Sequence, residues 1–155
     1  MKIISLIIAL GIFAIDCYSK GMVVNYFSKQ RDHILVINDF LNFGLVHNRG
    51  ISFGMFSNLK YSNECFIAIA AMITGFLIYL IVTSKSNLET IAVSLIVGGA
   101  FGNIYDRFKY GYVIDFIDIH YQNHHWYIFN IADAAICLGV IIMMLNNYKV
   151  RNEKI

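Results

Sequence analysis

The sequence contains no proline and few charged residues. Without proline, nothing marks a rigid linker between domains, and 155 residues suggest a single domain. Only 14% of the residues are charged and 58% are hydrophobic, whereas soluble domains are about 25% charged and about 45–50% apolar. Such a chain cannot cover a water-facing exterior, which excludes an ordinary soluble protein. A net charge of +2 argues against nucleic acid as a partner, and no repeat or low-complexity tract is present.

Apolar stretches with few charges predict four transmembrane helices. Residues 66–84 carry no charge and approach the ~20 residues that a helix needs to cross a hydrocarbon core. Residues 126–148 form a second apolar stretch, in which Asp133 is the only charge, and shorter apolar stretches lie at about 3–18 and 88–105. The predicted fold class is an all-α membrane protein, a four-transmembrane-helix bundle with a small extracytoplasmic β-cradle or hairpin and a loop. Residues 1–155 form one membrane domain in this prediction.

The first predicted span has an alternative interpretation. Lys2 followed by a short apolar run resembles a cleavable signal peptide, and Cys17 raises the idea of a lipoprotein signal. However, Asp16 immediately precedes Cys17, where a lipoprotein signal needs a small residue. We therefore expect residues 3–18 to be retained as a span.

Lysine and arginine are denser on one side of the predicted bundle. The N-terminal tip, the turn at 83–89 and the C-terminal tail share five basic residues: Lys2, Lys85, Lys149, Arg151 and Lys154. The two long connections, 19–65 and 106–125, hold seven over roughly 70 positions. Because basic residues concentrate in cytoplasmic segments, both termini are predicted to be cytoplasmic and the long connections to face outward.

The two outward connections differ in character. In the first, the runs ILVIN (34–38) and FLNFGLVHNRGISFGMF (40–56) are typical of β-strands interrupted by glycines. They predict a small sheet or hairpin at the outer membrane surface. The second connection is short and polar, and we expect it to be a loop. Within the third span, Gly98, Gly99 and Gly102 predict close approach of helix backbones.

Polar residues collect at one predicted level of the membrane, near its outer interface. Ionisable groups inside spans cost about 2.5–3.5 kcal/mol on insertion scales and are functional candidates. Those at this level, together with the nearby asparagines, are Asp16, Asn103, Asp106, Arg107, Asp115, Asp118, Asn130 and Asp133. A membrane carboxylate beside an arginine, such as Asp106 next to Arg107, is often only a contact between helices. A whole set at one depth instead indicates a site.

Asp115 and Asp133 are the candidate acid–base pair. Asp133 lies among apolar residues with Asn130 one turn away, so its carboxyl should be partly desolvated, which favours the neutral form. Asp115, in the segment VIDFIDIH, should be wetter and is the better candidate for the ionised group. Two carboxyls in unlike environments suit acid/base chemistry. One would take a proton from water, and the other would donate a hydrogen bond to the carbonyl under attack.

Five blocks of the sequence resemble lipoprotein signal peptidase, the signal peptidase II family of aspartyl peptidases (family A8). They are AIDCYSK (14–20), HNRGISFG (47–54), GGAFGNIYDR (98–107), GYVIDFIDIH (111–120) and FNIADAAI (129–136). The blocks occur in the family's order and cover nearly the whole chain. The resemblance implies a bacterial cytoplasmic-membrane endopeptidase that cuts diacylglyceryl-modified prolipoproteins just before the lipidated cysteine. It also implies an outer β-cradle and inhibition by globomycin. The acid/base chemistry requires no cofactor or metal, and a monomer is sufficient for it.

The resemblance also implies roles for single residues, carried over by matching positions. Asp115 and Asp133 would form the catalytic dyad. The substrate groove would be lined by Asn48, Gly50, Asn103, Arg107 and Asn130. Asp16 and Lys20 match a pair that supports the architecture of the site. Asp118 departs mildly from the pattern, and we expect it to be solvated surface.

The sequence leaves two other functions, a metal enzyme and an ion carrier, and one disulfide as alternatives. His120 and His124 have the i,i+4 spacing of helical metal ligands, with His125 beside them, but no third ligand falls at a matching position. A small ion or proton carrier would need a polar path through the bilayer, and the cytoplasmic halves of the spans are apolar. Cys17 and Cys65 both lie at outer ends of spans, so a disulfide between them is conceivable.

Overall fold

The computed structural model describes residues 2–32, 34–50 and 61–152. These residues form four long helices and a small antiparallel sheet. The helices are α1 (Lys2–Phe27), α2 (Ser62–Thr83), α3 (Asn87–Tyr110) and α4 (Ile131–Asn152). Each contains a stretch long and apolar enough to cross a membrane. The predicted fold class, a four-span helical membrane protein with a small sheet, is confirmed.

Helix α3 lies at the centre of the bundle. Half of its apolar stretch is buried, against 11–17% for the other three helices. Glycines allow its neighbours to approach closely. A Cβ atom added to Gly98 would lie 2.6 Å from the carbonyl oxygen of Ala9 in α1, and one added to Gly99 would clash with the carbonyl oxygen of Ala132 in α4. The predicted backbone-to-backbone approach is therefore confirmed, because any side chain at these positions would push the helices apart.

Helix α1 continues well beyond the predicted end near residue 18. The prediction stopped the span at the first charges, Asp16 and Lys20. Both side chains are almost fully buried and form an ion pair one helical turn apart, at 2.7 Å. Because their charges are satisfied inside the bundle, they do not end the helix, which runs on to Phe27.

The ends of α3 and α4 also differ from the prediction. Helix α3 extends to Tyr110 and stops at Gly111, whose positive φ of 78° suits glycine and whose amide bonds the carbonyl oxygen of Arg107. Helix α4 begins at Ile131 rather than near residue 126. The residues before it run alongside the sheet, where Phe129 exchanges backbone hydrogen bonds with Ile117.

The sheet has four antiparallel strands in the order β1 (Ile34–Asn38), β2 (Leu41–Asn48), β3 (Val113–Tyr121) and β4 (His124–His125). Strands β1 and β2 form the predicted hairpin. The remainder of the predicted β-like run, 51–56, lies outside the described residues, as does Lys154 in the tail. Strand β3 falls where a polar loop was expected. That expectation was wrong because β3 finds its partner, β2, some 70 residues earlier in the chain, for example Asn48 opposite Val113.

Candidate active site

A cavity of about 760 Å³ lies where α3, α4 and the sheet meet. Its polar side chains gather at one end, near the start of α4. They are Asn48, Asn103, Arg107, Tyr127 and Asp133. From there the wall continues along α4 as an apolar surface that includes Ala134, Ile136, Cys137, Leu138 and Ile141. The cavity thus joins a polar end to an apolar trough along a membrane-spanning helix.

Asp133 is fixed at the first turn of α4 by a reciprocal cap. Asn130 precedes the helix, and its Oδ1 accepts a hydrogen bond from the amide of Asp133 at 2.9 Å. In return, the amide of Asn130 donates to Oδ2 of Asp133 at 3.4 Å. Asn103 of α3 donates to Oδ1 of Asp133 at 2.8 Å. The carboxyl therefore sits at the positive end of the helix dipole, which favours a negative charge there.

Asp115 points inward from β3, and its residue is only 1% exposed. Asn130 Nδ2 donates to its Oδ1 at 2.6 Å, and Asn48 Nδ2 donates to its Oδ2 at 2.9 Å. The hydroxyl of Tyr127 lies 3.4 Å from the same Oδ2. Burial, and then the negative charge of Asp133, raise the pKa of Asp115 to about 7, while the two asparagine hydrogen bonds act in the opposite direction.

The expectation that Asp115 is the wetter of the two carboxyls was wrong. It was based on placing Asp115 in an exposed loop. In the structure β3 is an inner strand of the sheet, and pairing with β2 buries the whole stretch from Val113 to Phe116. Asp133, by contrast, lines the cavity. The two carboxyls do have unlike environments, but in the reverse order.

Asn130 connects the two aspartates. Its side-chain amide donates a hydrogen bond to Asp115, and its backbone amide donates one to Asp133, so both carboxyls contact the same residue. The side-chain amide also lies 3.2 Å from Oδ1 of Asn103. Asn130 is fully buried. Carboxyls from two different elements, β3 and α4, are thereby held on one residue beside the polar end of the cavity.

Arg107 connects α3 to the segment that follows β2. Its Nη2 donates to the carbonyl oxygen of Gly50 at 2.5 Å, and its guanidinium lies 4.9 Å from the centre of the Phe66 ring. Its Nη1 is buried and has no hydrogen-bond partner among the described residues. Since Arg107 lines the cavity, a peptide carbonyl that enters it could accept this donor.

A buried ionic cluster lies behind the site. Lys20 of α1 contacts Oδ2 of Asp16 at 2.7 Å and Oδ2 of Asp106 at 2.9 Å, and it donates to Oδ1 of Asn103 at 3.1 Å. Asp106 thus makes the contact between helices that is common for a membrane carboxylate, but its cation is Lys20 of α1 rather than the adjacent Arg107. Helical geometry points adjacent residues in different directions, so Asp106 faces α1 instead.

Each carboxylate of the cluster also holds a backbone amide next to a candidate catalytic residue. Asp16 Oδ1 accepts from the amide of Ala132 at 2.9 Å, one position before Asp133. Asp106 Oδ2 accepts from the amide of Ile114 at 3.1 Å, one position before Asp115. The cluster therefore fixes the main chain at both aspartates.

Asp118 is not the solvated surface residue that we expected. It is 5% exposed, and it accepts from Asn42 Nδ2 at 3.2 Å and contacts His125 Nδ1 at 2.9 Å. The prediction failed because it placed Asp118 in a loop, whereas β3 packs it against β2. It still lies apart from the dyad, bonded to a different set of side chains.

The histidines of the β3–β4 region are not on a helix. His120 is on β3 and His124 on β4, and His120 stacks on His125 with ring centres 5.0 Å apart. Among the described residues, no three histidine, cysteine, aspartate or glutamate side chains converge as metal ligands would. The described cysteines, including Cys17 and Cys65, are free thiols.

Every site residue named from the sequence falls in one of these two connected groups. Asn48, Gly50, Asn103, Arg107 and Asp133 line the cavity. Asp115 and Asn130 are buried beside it, hydrogen-bonded to Asn48 and Asp133. The supporting cluster holds Asp16 and Lys20. Sequence reasoning missed Tyr127, and it assigned Asp106 no part in positioning the aspartates. The signal for Tyr127 was its place three residues before Asn130, but a lone aromatic residue in an aromatic-rich chain does not stand out.

Comparisons with known proteins give matches over most of the chain. The family model described as signal peptidase (SPase) II matches residues 8–149. A lipoprotein signal peptidase of Thermodesulfovibrio yellowstonii is 44% identical over 138 residues, covering 89% of this chain and 90% of that protein. One of Anaplasma phagocytophilum is 36% identical over 152 residues, covering 98% and 96%.

Solved structures are similar as well. A bacterial membrane enzyme determined by the in meso method at 2.3 Å resolution superposes with a TM-score of 0.85 at 30% identity, covering 97% of this chain and 91% of that one. A second, at 1.9 Å resolution, gives a TM-score of 0.78 at 30% identity, covering 92% and 90%.

Proposed function

The chain belongs to the signal peptidase II family, and from that premise we propose that it is a membrane aspartyl endopeptidase that removes signal peptides from prolipoproteins. The cut falls immediately before the cysteine that carries diacylglycerol. The observation that carries the proposal is the pair Asp115 and Asp133, both hydrogen-bonded to Asn130 at the polar end of a cavity whose other wall is apolar.

The cavity suits a substrate of this kind. A signal peptide is a short apolar segment, and the trough along α4 offers it a matching apolar wall, from Ala134 to Ile141. The scissile bond would then lie beside Asp133. Arg107 and Asn103 supply donors for the carbonyl groups of the peptide on either side of it.

The chemistry needs one ionised and one protonated carboxyl. Two carboxyls at short range share a proton because both cannot ionise cheaply. The burial of Asp115 favours its protonated form, and the helix N-terminus favours the ionised form of Asp133. We therefore assign Asp133 as the base that takes a proton from water and Asp115 as the acid that hydrogen-bonds the scissile carbonyl.

The remaining steps follow from this assignment. Water oxygen bonds the carbonyl carbon as its proton moves to Asp133, giving a tetrahedral diol whose new hydroxyl holds the Asp115 proton. The proton on Asp133 then passes to the amide nitrogen. As the C–N bond breaks, a hydroxyl of the diol returns its proton to Asp115, so that one carboxyl is again protonated and the other ionised. The products are a signal peptide with a free carboxyl group and a lipidated cysteine with a free amine, so water is the only co-reactant.

A processing assay with diacylglyceryl-modified prolipoprotein tests the proposal. Asp115→Asn and Asp133→Asn should each lower turnover by about 10³-fold or more, since the amide can neither accept nor supply the proton. Size-exclusion elution and helical circular dichroism should stay as in the wild type. Cleavage at full rate by either variant would contradict the assignment of Asp115 and Asp133 as the catalytic pair. Globomycin should block the wild-type protein.

We also propose the setting of the enzyme. The protein resides as a monomer in the bacterial cytoplasmic membrane, with both termini in the cytoplasm and the dyad near the outer face. The density of basic residues at the tip, the 83–89 turn and the tail supports this orientation. Reporter fusions at the C-terminus and at residue 85 should both report a cytoplasmic location, and a fusion in the β1–β2 turn should report the opposite side.

A further inference from the structure

Tyr127 contacts the proposed dyad, although nothing in the sequence pattern assigned it a role. It lies in the extended segment between β4 and α4 and lines the cavity. Its hydroxyl oxygen is 3.4 Å from Oδ2 of Asp115. Asn48 donates through the same Nδ2 to that Oδ2, at 2.9 Å, and to the Tyr127 hydroxyl. The side chains of Tyr127, Asn48 and Asp115 contact one another in a closed triangle, and the first two of them line the cavity.

The direction of these hydrogen bonds follows from the chemistry of the groups. The side-chain nitrogen of Asn48 can only donate, so the phenol oxygen is its acceptor. The phenol proton is then directed to the carboxyl of Asp115. Burial raises the pKa of Tyr127 to about 12, and the nearby negative charges of Asp115 and Asp133 act in the same direction. The hydroxyl therefore remains a donor throughout the working pH range.

The protonation of Asp115 responds to several neighbours. Asp133 faces it from α4 and disfavours its ionisation, while Lys20 of α1 and Arg107 of α3 are the cations that interact with it. Asn48 and Asn130 donate hydrogen bonds that favour the ionised form. A phenol donor on Oδ2 acts in the same direction as the two asparagines.

We propose that Tyr127 is a positioning residue of the reaction. Its hydroxyl donates a hydrogen bond that holds Oδ2 of Asp115 in place and stabilises the ionised form of this carboxyl. The inference rests on the proposed function, in which Asp115 supplies a proton to the scissile carbonyl. Without the hydroxyl, Asp115 would keep its position on β3 and its hydrogen bonds to the two asparagines, but it would release its proton less readily.

The variant Tyr127→Phe removes the oxygen and keeps the ring that forms the cavity wall. With one donor lost, the ionised form of Asp115 is less favoured, so its pKa rises. The alkaline limb of the kcat/KM profile, which reports loss of the Asp115 proton, should therefore move to higher pH by about one unit. The plateau kcat should fall severalfold, and KM should change little because the groove is intact.

Tyr121→Phe is the matched control. Tyr121 is at the far end of β3 and 64% exposed, and its ring stacks on Phe40, so the same chemical change occurs away from the dyad. Its pH profile should coincide with that of the wild type. A purely structural role for Tyr127 would lower the height of the profile and leave both limbs in place. That result, or a shift of the alkaline limb to lower pH, would overturn the inference.

A second measurement separates this inference from the proposed function. Infrared titration in detergent follows the C=O band of the protonated Asp115 carboxyl, identified by its loss in Asp115→Asn, and needs no substrate. Its midpoint should rise by about one pH unit in Tyr127→Phe. If the wild type cleaves prolipoprotein but this midpoint is unmoved, only the role of Tyr127 fails. If the midpoint moves and the wild type does not cleave, the proposed function fails instead.

Discussion

Asp16 accepts a hydrogen bond from the backbone amide of Ala132, 116 residues further along the chain, at 2.9 Å. The contact joins the first helix to the first turn of the last one, directly before Asp133. Lys20 balances the charge of Asp16 and of Asp106, and Asp106 makes the equivalent contact to Ile114, directly before Asp115. A single buried lysine thus supports the main chain at both proposed catalytic residues.

Removing the lysine should therefore be costly. Lys20→Met leaves two carboxylates without a cation inside the bundle, and breaking a buried pair in this way costs about 3–5 kcal/mol. We expect a large drop in the midpoint of thermal unfolding in detergent, together with loss of processing.

The triple variant Asp16→Asn, Lys20→Met, Asp106→Asn is the control, because it removes the charges together. It should unfold at a higher temperature than Lys20→Met alone, although it carries more substitutions. If the triple variant is the less stable of the two, uncompensated charge is not the cause.

Gly102 should not tolerate alanine. A Cβ atom there would lie 2.5 Å from Oδ2 of Asp16, the oxygen that pairs with Lys20. Gly102→Ala should displace Asp16 and with it the amide of Ala132, lowering turnover about tenfold or more by misplacing a reacting group. The measurement is the initial rate of prolipoprotein processing.

Gly75→Ala provides the comparison within the same protein. Gly75 is inside α2, and a Cβ there would meet nothing within 4 Å. The substitution should leave processing unchanged and should stabilise the helix slightly, because alanine has the higher helix propensity. Equal losses in both variants would show that the effect does not come through Asp16.

Asp115 should make stability fall as the pH rises. Its pKa is about 7 in the folded protein against an ordinary value of 3.8, so between these values the folded state binds more protons than the unfolded state. The free energy of unfolding contributed by this group is therefore largest at low pH, declines through this window and levels off above pH 7.

Asp115→Asn removes that contribution. The unfolding temperature of Asp115→Asn minus that of the wild type should increase between pH 4.5 and pH 7.5, with both proteins scanned in the same buffers so that other titrating groups cancel. A difference that stays constant or shrinks with pH would contradict the raised pKa.

Asp118→Asn should separate structure from catalysis on the same strand. Asp118 contacts Asn42 and His125 rather than Asn130, so processing should stay within severalfold of the wild type. The lost charge weakens one hydrogen bond, which costs about 1 kcal/mol and should lower the unfolding temperature by a few degrees. Abolished turnover in a folded Asp118→Asn protein would reassign the dyad.

The sequence was sufficient for the membrane architecture. Apolar stretches of span length determine four helices, because backbone groups in lipid must bond within their own segment. The β1–β2 hairpin followed from local pattern too, and the glycines of α3 from the need for close packing. Motif order was enough to name both aspartates and the residues around them.

Only the tertiary structure decided how those residues are arranged. The burial of Asp115 depends on β3 pairing with β2, and the length of α1 depends on Lys20 finding carboxylates on two helices. Tyr127 joins the site because the chain before α4 runs beside the sheet. Desolvation and charge pairing arise from neighbours that are distant in sequence, so one-dimensional pattern cannot assign them. The composition determined that this chain folds in a lipid bilayer. Only the fold determined that Asp115, rather than Asp133, is the buried carboxyl.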